Sequence, residues 1–343
     1  MLWRIEALRS KVGHHQLVRN PSPLPRELHS QPFSVADART YGLGPERLRR
    51  RDLAAPFFGI RAPIGSEETL TLEDIQTKHD DPRYWETVRR LVIARSHALN
   101  RRMGLRLAFS HLTAAQIHGL YLPNRLAEDL TLHVTTERAA LRPKLAGVRN
   151  HLFPEGRAKI VEVDGLRVTS PLETWCTLAS LLSLESTVVI GDQLVQKQDP
   201  IANIKELEHA VKSHAGRHGA KRLRLALPLI RANTDSPMET KLRLRIINAG
   251  LPEPGVNIPI KNRHGVRLRL GDLVYPHFKV LVEYDGWRHR DDVTQYQRDI
   301  EVLQEAAEDG WRVIRIHKGM LENGSTLAVH QIRSALVAQG WKP

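Results

Sequence analysis

The chain of 343 residues contains a single cysteine, Cys176. No internal disulfide can form, and zinc sites built on several thiolates are excluded. Such a sequence suits a reducing compartment. No apolar run reaches the roughly 18–20 residues that a membrane-spanning helix needs. The opening Met1-Leu2-Trp3-Arg4 passes quickly into a polar, proline-containing stretch, which lacks the organisation of a secretory signal. These absences give the expectation of a cytoplasmic protein without a membrane partner. No fixed-period repeat is visible. Acidic residues are short: 38 Asp+Glu stand against 51 Lys+Arg, for a net charge of +13. A surplus of this size points to a polyanion, DNA first, because Lys and Arg contacts to phosphate dominate nucleic-acid affinity; the alternative is a generic basic surface.

What is present is enough for two or three domains, with 41% apolar residues to build their cores. Residues 1–32, with His14-His15 and several prolines, read as an extension. Residues 33–90 read as a small helical unit and a linker. Phe33 to Tyr41 has helical spacing, Gly42-Leu43-Gly44 breaks it, and Pro45 to Arg51 restarts a helix with proline in its first turn. That pair is compatible with a helix-turn-helix in which Arg47, Arg49, Arg50 and Arg51 meet DNA, or with a solvated basic helix. Asp80-Asp81-Pro82 reads as a turn or linker. Residues 91–232 read as a mixed α+β middle. Lys159–Val163, Asp164-Gly165 and Leu166–Val168 have the signature of a hairpin, and Ser170-Pro171-Leu172-Glu173 opens a helix with a capping-box pattern. No catalytic constellation is visible in this middle region. Asp192, after an apolar run, reads as a polar-face residue or a satisfied buried group.

Residues 233–343 carry the densest pattern. A helix from Ser236 to Ala249 ends at Gly250, and strands follow over Val256–Ile260, Val266–Tyr275 and Phe278–Asp285. A helix over Val293–Ala307, a strand over Trp311–Ile316 and a helix over Thr326–Ala338 complete the order αβββαβ. The final strand–helix–strand step should set the last two strands parallel. The expected class is α/β, α+β overall. If Pro276-His277 is a two-residue turn, Tyr275 pairs with Phe278 and Asp272 lies opposite Leu281. Glu283 is then the diagonal neighbour of Asp272, and Asp285 is one step further on the same face. Three acids on one face could share a hard cation, or could form the solvated face of a sheet. His289 could act as a general base or acid, or be a surface histidine. Glu239 completes a capping box with Ser236, and its helix should also bring it beside the sheet.

Gly271-Asp272-Leu273-Val274-Tyr275-Pro276, then Val282-Glu283-Tyr284-Asp285-Gly286-Trp287-Arg288-His289, then Arg298-Asp299 and Gly310 to Arg315 carry a resemblance. They resemble a domain-of-unknown-function family related to the very-short-patch mismatch-repair endonuclease, within the PD-(D/E)xK superfamily. Ser236 to Glu239 and Gly250 to Pro254 fit its opening helix and loop. The upstream residues, Phe33 to Arg61 and Ala108 to Asp192, resemble by order a degenerate winged-helix start and an AbiEi-antitoxin-like middle. The resemblance implies a restriction-endonuclease-like core and a Mg2+-dependent endonuclease, with Mn2+ a possible substitute. Asp272, Glu283 and Asp285 would be metal-binding residues, and Glu239 and His289 would complete the catalytic set. It departs from the superfamily pattern where Asp285 stands in place of a lysine two residues after Glu283. A non-catalytic, antitoxin-like DNA-binding regulator is the competing expectation. Neither a protein partner nor an oligomeric state can be read from the sequence.

Overall fold

Residues 21–29, 31–103, 107–136, 144–153, 158–285, 302–321 and 325–343 are described by the computed structural model. The first unit runs from a 3-10 turn at Arg26–Leu28 through β1 (Phe33–Ser34) and α1 (Val35–Thr40) to a second 3-10 turn at Arg47–Arg49. It closes with β2 (Leu53–Ala54) and β3 (Ile60–Pro63), in an antiparallel sheet of order β1-β3-β2. The helix expected from Phe33 begins two residues later. Ser34 Oγ accepts the Asp37 N–H while the Asp37 carboxylate accepts the Ser34 N–H, so the cap fixes the start and frees Phe33 to pair with Arg61. The second helix expected over Pro45–Arg51 is corrected to the single turn at Arg47–Arg49.

Helix α2 (Pro82–Met103) is the longest of the described residues. Pro82 starts it, and the Asp81 carboxylate accepts the Arg83 N–H at 2.9 Å. The Asp80-Asp81-Pro82 string is thus a helix start, and the expected boundary at 90/91 falls inside a continuous helix. Buried Val92 and Leu99 join α2 to the sheet of the middle region. That sheet is built from β4 (Ala108–Phe109), β5 (Leu132–Thr136), β6 (Val148–Leu152), β7 (Ile160–Val163) and β8 (Leu166–Thr169), in the order β6-β5-β4-β8-β7. The expected hairpin is β7–β8, and both turn residues, Asp164 (φ 49°) and Gly165 (φ 75°), are left-handed as a tight hairpin turn requires. Between these strands lie α3 (His111–His118) and α4 (Asn124–Ala127). After them come α5 (Pro171–Leu178), α6 (Leu184–Leu194), α7 (Ile204–Ser213) and α8 (Ala220–Ala226), packed around Trp175, Leu178, Val188 and Leu207.

The last unit has α9 (Pro237–Asn248), β9 (Gly255–Lys261), β10 (Arg267–Tyr275), β11 (Val280–Asp285), the helical residues 302–308 (α10), β12 (Arg312–His317), α11 (Lys318–Leu321) and α12 (Thr326–Ala338). The sheet order is β12-β11-β10-β9; β9, β10 and β11 are antiparallel, and β11 runs parallel to β12. The αβββαβ order and the parallel last pair agree with the sequence reading, although residues 293–301 of the helix expected over Val293–Ala307 lie outside the described residues, and the whole is a mixed α+β protein. The turn after β10 differs. Pro276–Phe278 forms a 3-10 turn and Lys279 adopts φ 46°, so Tyr275 pairs with Val280 rather than Phe278. Continuing that register past Leu273↔Val282 puts Asp272 across from Glu283, not Leu281.

Helix α9 belongs to two cores. Leu244 packs with the α5–α8 cluster, whereas Leu242 and Ile246 pack under the β9–β12 sheet. Asp192 on α6 meets it from the other side: its carboxylate accepts from Arg243 Nη2, Thr240 Oγ1 and the Arg231 N–H, each at 2.8 Å. Asp192 is the satisfied buried group that its setting suggested. Among the described residues no helix is long and apolar enough to cross a membrane.

Candidate functional site

Asp272 and Glu283 lie on adjoining strands where the β10–β11 ladder ends, but among the described residues the acids form no group of three with ligand atoms within 4.8 Å of one another. Pairing stops at Leu273↔Val282, and one step beyond it the Asp272 carboxylate accepts the Tyr284 N–H at 2.9 Å. Strict alternation fails at this level. A Cβ on Gly271 would lie 2.3 Å from Leu281 Cδ1 and 2.7 Å from Val274 Cγ2, so Gly271 and Val274, three residues apart, face the same side. On β9 the corresponding break is Asn257, held at φ 46°. The expectation that Asp272 shares one regular face with Leu281 is therefore corrected.

Glu239 reaches the same place from α9. Its backbone N–H donates to Ser236 Oγ at 3.2 Å, which is one half of a capping box. Its carboxylate does not make the other half. Oε2 accepts from the Asp235 N–H (3.1 Å) and from Asn257 Nδ2 (3.2 Å). Burial, reinforced by the charge of Asp272, pushes the Glu239 carboxyl up to about 7. Asn257 also donates to the Asn233 carbonyl at 2.8 Å, so it ties α9, β9 and the preceding loop together. Sequence reasoning misses Asn257; an asparagine inside an otherwise apolar strand is the available signal, since Asn tolerates the left-handed region better than most residues.

The remaining expected residues divide. Glu283 is buried, and its Oε1 lies 3.0 Å from Arg269 Nη2. Asp285 ends β11 opposite His317 and is half-buried. His289, with Arg298 and Asp299, lies outside the described residues. Lys279 cannot replace the absent lysine, because its Nζ donates to the Asp309 carbonyl at 2.8 Å, at the far end of β11. In the first unit Arg47 is committed internally: its guanidinium makes two hydrogen bonds to Asp52 (3.0 and 2.7 Å) and one to the Ser22 carbonyl. Arg49, Arg50 and Arg51 are exposed.

A second cluster arises where no chemistry was expected. His111 opens α3, His133 lies on β5 and His151 on β6, and one ligand nitrogen from each lies within 4.8 Å of the others. The parallel register sets Thr135 beside His151, so His133 and His151 are diagonal neighbours. His133 Nδ1 and His151 Nε2 are 3.1 Å apart, and the His111 and His151 rings stack at 3.6 Å. Burial pushes His111 down to about 2 and His133 and His151 down to about 4, with the neighbouring histidines and Arg149 adding to it. Separations of 22 and 18 residues carry no spacing signal, which is why the sequence does not reveal the group.

Comparison with known proteins gives distant relatives. Over 204 residues the chain is 26% identical to two uncharacterized proteins of Mycobacterium tuberculosis strains, MT2308 and Rv2248, a span covering 60% of this chain and 72% of each relative. No family model matches the chain, and no solved structure matches it.

Proposed function

We propose that the chain is a Mg2+-dependent DNA endonuclease with its site at the end of the β10–β11 ladder. The observation that carries this reading is the approach of Glu239 to Asp272. Glu239 on α9 is near enough to Asp272 on β10 for that charge to add to the burial that raises the Glu239 carboxyl, and a divalent cation would relieve both. Glu239 and Asp272 would supply carboxylate oxygens with water completing the shell, and Glu283 would have to exchange Arg269 for the ion and move in, since the three acids do not lie within 4.8 Å of one another. A bound Mg2+ would polarise a phosphodiester and lower the pKa of an attacking water. Asn257 holds Glu239 in place, the Tyr284 N–H orients Asp272, and the Arg269 guanidinium is suited to a phosphate oxygen once that exchange is made. DNA fits the surplus of positive charge, with exposed Arg49, Arg50 and Arg51 available to the backbone. The strand–helix–strand order of the first unit is compatible with a degenerate winged helix, and a cytoplasmic location suits all of these features.

One observation favours a second reading. Arg269 already neutralises Glu283, as expected of a nuclease-like fold retained as a DNA-binding platform for an antitoxin-like regulator. Plasmid, nicked, mismatched and linear DNA, each with Mg2+, Mn2+ or EDTA, separates the two. The nuclease reading expects metal-dependent cleavage that Asp272→Asn abolishes, with DNA binding retained. DNA binding by wild-type protein without cleavage of any substrate selects the regulator.

A further inference from the structure

The His111–His133–His151 cluster has the donor chemistry of a metal site and lies in a different sheet from the acids discussed above. All three side chains are imidazoles, with no carboxylate in the group, which suits Zn2+ and its neighbours rather than Mg2+ or Ca2+. Two ring nitrogens already stand 3.1 Å apart. A tetrahedral ion with Zn–N bonds of about 2.0–2.1 Å separates its ligand nitrogens by roughly 3.4 Å, so only a small opening is needed. His133 is fully buried, and its Nε2 has no hydrogen-bond partner. Each imidazole offers an ion one nitrogen, and for His133 the one that faces His151 is Nδ1.

The backbone gives an independent indication. His111 begins α3 at φ 49°, a conformation that favours glycine, and it is thereby directed towards the strand histidines. Its Nδ1 lies 3.1 Å from Ser110 Oγ, a contact that can orient the ring. Arg149 opposes a cation here, but it is exposed and screened, and Asp129 acts in the opposite sense on His133. His151, the least buried of the three, gives access from solvent.

We propose that His111, His133 and His151 bind one divalent transition-metal ion of the zinc class, leaving a fourth coordination position for water or another ligand. The test uses the full chain after treatment with EDTA and dialysis. Titration with Zn2+ by calorimetry, with excess Mg2+ present to occupy the acidic site proposed above, should give one ion per chain, and Co2+ should give visible d–d bands that Zn2+ removes. His151→Gln and His111→Gln should each weaken Zn2+ binding about tenfold or more, because even outer-shell losses reach that size. His118→Gln, a histidine outside the cluster, should leave the stoichiometry and affinity unchanged. The proposal is overturned if folded wild-type protein takes up no Zn2+, which would leave a neutral histidine stack in the core. Uptake unaltered by both cluster variants, or abolished in Asp272→Asn instead, overturns it as well. Should both cluster variants fail to fold, absence of cobalt bands in the wild type overturns it and their presence sustains it.

Discussion

Asp192 and Arg243 have side chains 1% and 0% exposed, and each is the other's main charge partner. Burial raises the Asp192 carboxyl, and the guanidinium, the Arg231 N–H and the Thr240 hydroxyl oppose that shift. Removing one member leaves a bare charge in a low-dielectric core. Asp192→Ala should therefore cost about 3–5 kcal/mol in urea unfolding. Replacing both by leucine and methionine should cost much less, and a double variant as unstable as the single would show that the charges do not act as a pair. His118 offers a pH-dependent counterpart. Burial holds it below its ordinary value, although its Nε2 lies 2.7 Å from the Thr169 carbonyl and that bond opposes the shift. With the folded value depressed, its contribution is present above about pH 6.5 and is lost as pH falls, because the unfolded chain binds the proton first. Stability should decline below pH 6.5 with a slope that His118→Gln reduces by up to about 1.4 kcal/mol per pH unit. Equal slopes in the two proteins, from denaturant midpoints between pH 7 and 5, would remove His118 from the account.

Turns and caps show what can be read from the chain. Asp164-Gly165, the Ser170 and Ser236 caps and the helix Thr326–Ala338 are local features, and local chemistry announces them. The turn Pro276–Lys279 is two residues longer than its sequence suggests, because a left-handed lysine follows no simple signal. A two-residue shift changes every pairing partner, and the break in alternation at Gly271 means that parity alone does not decide which way Asp272 faces. Helix α2 is hidden in the sequence because Asp81-Pro82 serves equally as linker and as helix start. The paired breaks at Asn257 and Gly271 depend on two strands meeting, which neither segment displays alone. Glycines extend this contrast between local and tertiary demands. Gly165 (φ 75°) faces open space, so Gly165→Ala should cost only about 1 kcal/mol. Gly219 (φ 87°), which precedes α8, would bring a Cβ to 2.7 Å from the Ser180 nitrogen and 2.9 Å from the Ala179 carbonyl carbon. Gly219→Ala should therefore cost roughly 2–3 kcal/mol, the strain plus the displacement of backbone. Similar urea midpoints for the two variants would contradict this ranking.

For the molecule as a whole, positive charge and packing lead to different expectations. If exposed Arg49, Arg50 and Arg51 face DNA, replacing all three by alanine should weaken binding. It should also flatten the plot of log affinity against log salt by up to roughly 0.9 for each phosphate no longer neutralised. An unaltered slope would make this surface a bystander. Arg47→Ala should act on folding instead, since Arg47 holds Asp52 and the Ser22 carbonyl. The α+β order of the last unit is legible because most of its elements announce their own period, whereas the histidine cluster and the α6–α9 ion pair are products of tertiary assembly. Helix α9, whose opposite faces complete two different cores, makes the chain's modular look deceptive. A fragment beginning at residue 233 would keep the helix but strip Asp192 from Arg243, and one ending at 232 would lack Leu244 in its own interior. The two halves are thus expected to melt together in a single calorimetric transition, and a sheet of this kind could be transplanted to another protein only with the helical layer behind it.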